Sequence, residues 1–180
     1  MSSPASSEIE LELTYLAGEL PDLGGLSGTP MEDVYFPDDP SVHPRLRLRR
    51  KGDNYELTKK IPVDSSDASR HAEMTISLSE IEYVSLTIGH ARKVTKTRYV
   101  VPLGGRAAEV DVFEGALAGL VLIDFEFESE AEMRNFAPPP ECLAEVTQED
   151  FIAGGLLAGK AYSDIADELA RFKYIRVGEQ

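Results

Sequence analysis

Eight short runs of this chain alternate with a period of two, and in seven of them the polar face carries charge or hydroxyl in blocks rather than at random. A period of two is the strand signature, because successive side chains point to opposite faces. In residues 8–16, Glu8, Glu10 and Glu12 share a face opposite Leu11 and Leu13. In 45–51, Arg45, Arg47 and Arg49 oppose Leu46 and Leu48. In 54–61, Glu56, Thr58 and Lys60 oppose Tyr55 and Leu57; in 70–78, Glu73, Thr75 and Ser77 oppose Met74, Ile76 and Leu78. Lys96 and Arg98 share a face in 93–101. In 106–114, Glu109 and Asp111 oppose Val110 and Val112. In 120–128, Asp124, Glu126 and Glu128 oppose Ile123, Phe125 and Phe127. The eighth run, 33–36, is short. Like charges two residues apart repel, so a surface built only for stability would avoid such blocks. A sheet closed on itself accounts for them: the polar faces line an interior, the apolar faces pack against helices outside, and about eight strands enclose room for one small ligand. The alternation leaves two readings open, a solvated sheet face with Glu and Arg paired across neighbouring strands and such a closed barrel, and seven blocked strands together favour the barrel.

Composition narrows the setting. The chain has 180 residues, 42% of them hydrophobic, enough for one domain with a core. That domain is expected over 8–180, after a small, polar, disordered stretch 1–7. Eighteen basic against 32 acidic residues give a net charge of −14, which disfavours nucleic acid as a partner. The single Cys142 rules out an internal disulfide and reads as an inert core thiol, and the three His have no regular ligand spacing. No signal-peptide pattern opens the chain, and the longest apolar run, 115–123, is too short to cross a bilayer, so a cytoplasmic protein without membrane contact is expected, monomer or homodimer. Loops are expected at 17–32, 37–44, 62–69 and 137–141, and hairpin turns within 49–55 and 102–107. Helices are expected after Ser79 and Ser129, each with a Glu three residues on, and over 163–175 with Ile165, Leu169 and Phe172 as the apolar face.

Chemistry then selects a ligand. Arg presents a planar fork matched to phosphate oxygens, and Lys adds point charge. Five inward cations, Arg47, Arg49, Lys60, Lys96 and Arg98, are too many for one carboxylate and suit a chain of phosphates. Carboxylates without His or Cys select Mg2+ or Mn2+ over zinc. Neither a Walker loop nor a Ser-His-Asp arrangement is apparent. Arg45 and Arg50 read as surface residues flanking the arginine pair, Glu56 and Glu73 as carboxylates that orient the arginines, and His43 as a loop residue. Crowding of like charge implies that replacing Arg47 or Arg49 by Ala raises stability.

These motifs, in this order, resemble the CYTH superfamily, the triphosphate tunnel metalloenzymes. ELELT (10–14) is similar to the family's opening E-x-E-x-K strand, RLRLRRKGDNYELTKK (45–60) to its R-x-R strand and later lysine, KTRYVVPLGG (96–105) to its next basic strand, and 107–129 to its closing acidic strands, with a D/E-x-E motif at Asp124 and Glu126. The resemblance implies an α+β fold, an eight-stranded antiparallel closed barrel with helices packed outside, forming a tunnel that hydrolyses a triphosphate, most simply inorganic tripolyphosphate to pyrophosphate and phosphate, with a divalent cation, Mg2+ or Mn2+. It implies metal ligands at Glu10, Glu12, Asp124 and Glu126 with Glu109 and Asp111 nearby. It implies a phosphate clamp of Arg47, Arg49, Lys60, Lys96 and Arg98, and a catalytic set of Glu10, Glu12, Lys60 and Glu126. The motif lysine is Thr14 here, expected to line the tunnel and touch substrate. Three other readings stand beside hydrolysis of tripolyphosphate: a non-catalytic polyphosphate- or nucleotide-binding module, a thiamine triphosphatase, and a class IV adenylate cyclase-like activity.

Overall fold

The computed structural model describes residues 8–39, 41–43, 45–64 and 66–177, with nothing said of the Glu8 side chain. The expected disordered stretch 1–7 lies outside these residues. Nine strands form one sheet: β1 Glu8–Ala17, β2 Thr29–Phe36, β3 Leu46–Lys51, β4 Asn54–Asp64, β5 Asp67–Leu78, β6 Lys93–Leu103, β7 Arg106–Phe113, β8 Val121–Glu126 and β9 Cys142–Glu145. Their order is β5-β4-β3-β2-β6-β7-β8-β1-β9, and a further β5–β1 pairing closes eight of them into an antiparallel barrel. Closure falls on β1, the first of the charged alternations. Its residues 12–16 pair with β8, while Glu8–Leu11 pair with β5 and Tyr15–Ala17 with β9. Tyr15 and Leu16 pair with β8 and β9 at once, so β5 and β9 share the other edge of β1 and cover it in turn.

The β3–β4 and β6–β7 connections are the two expected hairpins. Gly52, Gly104 and Gly105 take φ of 58°, 56° and 78° there, which only glycine adopts without strain. Three expectations about loops are corrected. β2 begins at Thr29, so residues 29–32 are strand. β4 and β5 run to Asp64 and from Asp67, so most of 62–69 is one long hairpin. Cys142 opens a short strand, β9, and is partly exposed rather than core.

Four helices occur among the described residues: α1 Glu80–Thr87 and α2 Glu130–Arg134 lie outside the barrel wall, whereas α3 Gly154–Leu157 and α4 Ala166–Arg171 pack on one end of its inward rows, which corrects the expectation that all helices pack outside. Ser79 caps α1 with the full box, its hydroxyl accepting from the Glu82 N–H while the Glu82 carboxylate accepts from the Ser79 N–H. Ser129 caps α2 in the same way from one side. The C-terminal helix is shorter than the expected 163–175, yet Ile165 and Leu169 are fully buried and Phe172 packs beside them. No helix among the described residues is long and apolar enough to cross a membrane.

Three apolar clusters among the described residues hold this together, the smallest joining Val34 and Leu48 to Tyr83 of α1. The outward residues Leu11, Tyr15, Val101, Leu103, Val110, Ile123, Phe125 and Phe127 form another, covered by Met133 and Phe136. Burying side chains of this size stabilises by about 1.5–3 kcal/mol each. The third is less expected. It joins Leu16, Val94, Phe113 and Leu122, which follow or precede the charged residues on the inward rows, to Ile152, Leu157, Ile165 and Leu169 of the C-terminal segment. Along the barrel the inward rows therefore change from charged to apolar, and the C-terminal segment packs against the apolar end.

Candidate functional site: a charged tunnel

One cavity of about 420 Å³ runs inside the barrel. All twelve residues singled out from the sequence line it: Glu10, Glu12, Thr14, Arg47, Arg49, Lys60, Lys96, Arg98, Glu109, Asp111, Asp124 and Glu126. The alternation of each strand puts them there. The same alternation brings Arg45 and Lys51 to the cavity and turns Arg50 to solvent, so the surface reading of Arg45 is corrected.

The cations on β3 and β6 are held by carboxylates. Arg49 Nε and Nη2 each donate to one oxygen of Asp33, both at 2.7 Å, and both side chains are nearly fully buried. Burial alone would raise the Asp33 carboxyl, but Arg49, with Arg47 and Lys96, holds it well below the usual range. Arg98 grips Asp111 by the same fork, at 2.6 and 2.7 Å, and also pairs with Glu109. Lys96 pairs with Asp111 as well. The Asp111 carboxyl, which burial alone would raise, is lowered to about 2 by Lys96 and Arg98. The Lys96 ammonium is pushed down by burial and by the neighbouring Arg98 and Arg49, despite Asp111. On β4, Lys60 donates to Glu10 at 2.7 Å and lies 3.2 Å from Glu73. Arg47 differs: its buried Nε has no hydrogen-bond partner.

The carboxylates on β1 and β8 are arranged otherwise. Register sets Glu12 directly opposite Glu126, and Thr14 opposite Asp124. The Thr14 hydroxyl donates to Asp124 at 2.7 Å, and Asp124 lies 3.5 Å from Arg98. Burial, then Glu12 and Asp111, push the Asp124 carboxyl up to about 8. Glu126 is raised by burial, Glu109, Glu12 and Glu10; Glu10 is raised by burial, with Glu73 and Glu12 adding to it against Lys60. Carboxylates that repel one another in a partly buried wall fit a hard divalent cation, and every donor is oxygen. Among the described residues, no three of them converge on a single point. Glu109 and Asp111 face Arg98 and Lys96, whereas Glu12 faces Glu126 across β1 and β8, with Asp124 next to them opposite Thr14.

Several residues in or behind the cavity wall escaped the sequence reading. Asp33 fixes Arg49, and Tyr35, whose hydroxyl lies 3.5 Å from Asp33, borders the cavity. A floor segment, Thr147–Gly155, which follows β9 and ends in the first turn of α3, borders it too through Thr147, Glu149, Asp150 and Ile152–Gly155. Gly154 is a close approach: a Cβ there would sit 2.2 Å from Tyr35 Oη. His43 and His71 line the cavity, both with pKa lowered, by burial and then, respectively, by Arg45 and Lys60. Glu73 does orient a cation, but it is Lys60; the Thr75 hydroxyl donates to it at 2.9 Å. Only a parity count on β2 could have flagged Asp33 and Tyr35; the floor segment carries no local signal.

Comparison with known proteins agrees with this architecture. No family model matches the chain. A curated relative, the inorganic triphosphatase of Nitrosomonas europaea, is 34% identical over 141 residues, which span 78% of this chain and 90% of that protein. The crystal structure of an inorganic triphosphatase superposes with a TM-score of 0.62 at 31% identity, covering 84% of this chain and 95% of the other. A putative adenylate cyclase from Bacillus halodurans shares the fold, with a TM-score of 0.56 at 17% identity over 97% and 95% of the two chains. With a closed eight-stranded tunnel, an interior lined by cations and carboxylates, and a relative above 30% identity over 78% of the sequence, this chain belongs to the CYTH superfamily of triphosphate tunnel metalloenzymes.

Proposed function

We propose that this protein is a triphosphatase that hydrolyses inorganic tripolyphosphate to pyrophosphate and phosphate, using Mg2+ or Mn2+. One observation carries the reading: a cationic wall and a self-repelling carboxylate wall face the same 420 Å³ cavity. Arg47, Arg49, Lys60, Lys96 and Arg98 bind the phosphates and hold them in line. Arg47, whose buried Nε has no hydrogen-bond partner, has a donor open to a phosphate oxygen. The pairings of Arg49 and Arg98 with Asp33 and Asp111 fix those forks before substrate arrives, which limits reorganisation as charge develops. Glu10, Glu12, Asp124 and Glu126, with Glu109 and Asp111 beside them, would hold the divalent ion. When bound, that ion supplies charge neutralisation and polarisation of phosphoryl oxygens. Glu126 positions water for attack on a terminal phosphorus, the P–O bond to the leaving pyrophosphate breaks, and the water's protons leave with the products. The wall around the cavity is mostly charged, with Tyr35 and Phe113 as its aromatics, which favours the inorganic triphosphate over thiamine triphosphate or a nucleotide. A screen of tripolyphosphate, thiamine triphosphate, ATP and pyrophosphate against Mg2+ and Mn2+ tests the assignment. Fastest phosphate release from tripolyphosphate is expected; faster turnover of either organic triphosphate would reassign the substrate.

A further inference from the structure

Arg92 stands just before β6 and is not among the residues lining the cavity, yet the residue is only 8% exposed and its side chain joins two segments that lead to the cavity. Its Nη1 donates to three backbone carbonyls of the β2–β3 loop: Pro37 at 3.1 Å, Asp39 at 2.8 Å and Val42 at 3.1 Å. Its Nη2 donates to the Gly155 carbonyl at 2.6 Å. Its own carbonyl accepts from the Tyr35 N–H at 3.0 Å. Among the described residues no carboxylate lies within ion-pair distance of it. A buried guanidinium held by carbonyls alone costs desolvation without a full counter-charge. What it gains is geometric, because a planar fork can bind several carbonyls at fixed angles.

Those carbonyls belong to segments that touch the cavity. The β2–β3 loop leads directly into His43 and Arg45, and Gly155 continues from Ala153 and Gly154; all five line it. Tyr35, anchored by the Arg92 carbonyl, packs its hydroxyl against Gly154. We infer that Arg92 is a positioning residue for the triphosphatase: a clip that fastens the β2–β3 loop to the floor segment and so sets Arg45, His43 and the floor at the distance that fits the substrate. This inference rests on the function proposed above. The clip lies on the side of the cavity formed by β2, β6 and the C-terminal segment, away from the Glu12–Glu126 pair on β1 and β8. Its loss should therefore weaken substrate binding more than it slows the chemical step.

Arg92→Ala and Arg92→Lys in the full chain test this, with steady-state kinetics on tripolyphosphate at saturating divalent ion, calorimetric binding of tripolyphosphate, and amide hydrogen exchange. Both variants should raise KM and Kd about tenfold or more while kcat stays within about threefold, the pattern of lost binding common to ground and transition states. Lys should fail to rescue, since an ammonium cannot span four carbonyls. Exchange should quicken in residues 37–43 and 153–155 and stay unchanged in β1 and β8. An unchanged KM and Kd, with only a lower melting temperature, would overturn the inference, as would rescue by Lys or failure of both variants to fold. If wild-type protein binds tripolyphosphate without releasing phosphate, the hydrolase reading fails, and the Kd ratio still decides the role of Arg92. If it does neither, both fall.

Discussion

The two walls of the tunnel solve the problem of buried charge in opposite ways. On β2, β3, β6 and β7, three cations meet carboxylates of the same barrel, Arg49 with Asp33, and Lys96 and Arg98 with Asp111, while the Nε of Arg47 is left for a ligand. Those carboxyls are held low, with Asp111 at about 2. On β1 and β8, carboxylates meet carboxylates, and Asp124 is pushed up to about 8. The first wall is set by the chain itself. The second reaches its charged form most readily with a counter-ion from solution. A surface whose like charges are merely solvated would need neither arrangement.

The largest expected effect comes from the second wall. Chelation should abolish turnover, and Glu12→Gln or Glu126→Gln should lower kcat/KM by about a hundredfold or more, the scale of removing one group that stabilises developing charge. Phosphate-release assays with added Mg2+ or Mn2+ check this, and full activity in chelator would erase the contrast between the walls.

The first wall should answer through stability. Removing one member of a buried pair costs about 3–5 kcal/mol, because the other charge is left uncompensated. Arg49→Ala and Asp33→Ala should each show a loss of that order in denaturant unfolding. Arg47→Ala should cost little or stabilise, since Arg47 has an unpartnered Nε and crowded cations around it. Charge crowding alone makes the two arginines equivalent and predicts a gain from removing either. The structure separates them, because Asp33 lies across the β2–β3 register from Arg49.

That separation marks the limit of what is legible in the residues. Period-two alternation places Glu10, Glu12, Arg47, Arg98 and Asp124 on inward faces without any knowledge of neighbours, since side-chain direction is local to a strand. Which inward residue meets which is a matter of register, and register is long-range. Asp33 opposes Arg49 across 16 positions and Thr14 meets Asp124 across 110. The first half of β2 is hidden for a local reason: Gly28 and Pro30 read as loop residues, and Pro30 is tolerated at the start of a strand. The C-terminal floor is hidden for the opposite reason. Thr147–Gly155 has no period of its own, and the apolar ends of the inward rows, Leu16, Phe113 and Leu122, show its place only once the barrel is closed.

The pH dependence of stability sharpens the comparison. The Asp124 carboxyl lies at about 8 in the fold against an ordinary 3.8. Its protonation favours the fold below about pH 4, and that contribution is lost as pH rises through 8. Asp111 has the opposite sign: its contribution is present above 3.8 and lost as pH falls through about 2. In metal-free protein, Asp124→Asn should therefore gain on wild type in melting temperature as pH rises from 4 to 8, with the gap narrowed by Mg2+. Parallel curves would contradict the assignment.

The smallest effect is expected at Thr14, where the family motif carries lysine. Thr14 is 7% exposed and donates to Asp124, which Arg98 already neighbours. Thr14→Lys would bring a charge to a wall that has one cation nearby, so turnover should change by about tenfold or less, with overpacking offsetting part of any gain. A larger rise in kcat would mean that the missing lysine charge limits the natural enzyme.

The central claim is that the two walls act together on one substrate. Its most direct test is phosphate and pyrophosphate release from tripolyphosphate by the purified full chain, with and without Mg2+ or Mn2+, beside calorimetric binding of the same compound. The account predicts one phosphate and one pyrophosphate per tripolyphosphate consumed when the divalent ion is present, and none after chelation. Tight binding without release, with either ion, would contradict it and leave a polyphosphate-binding module in its place.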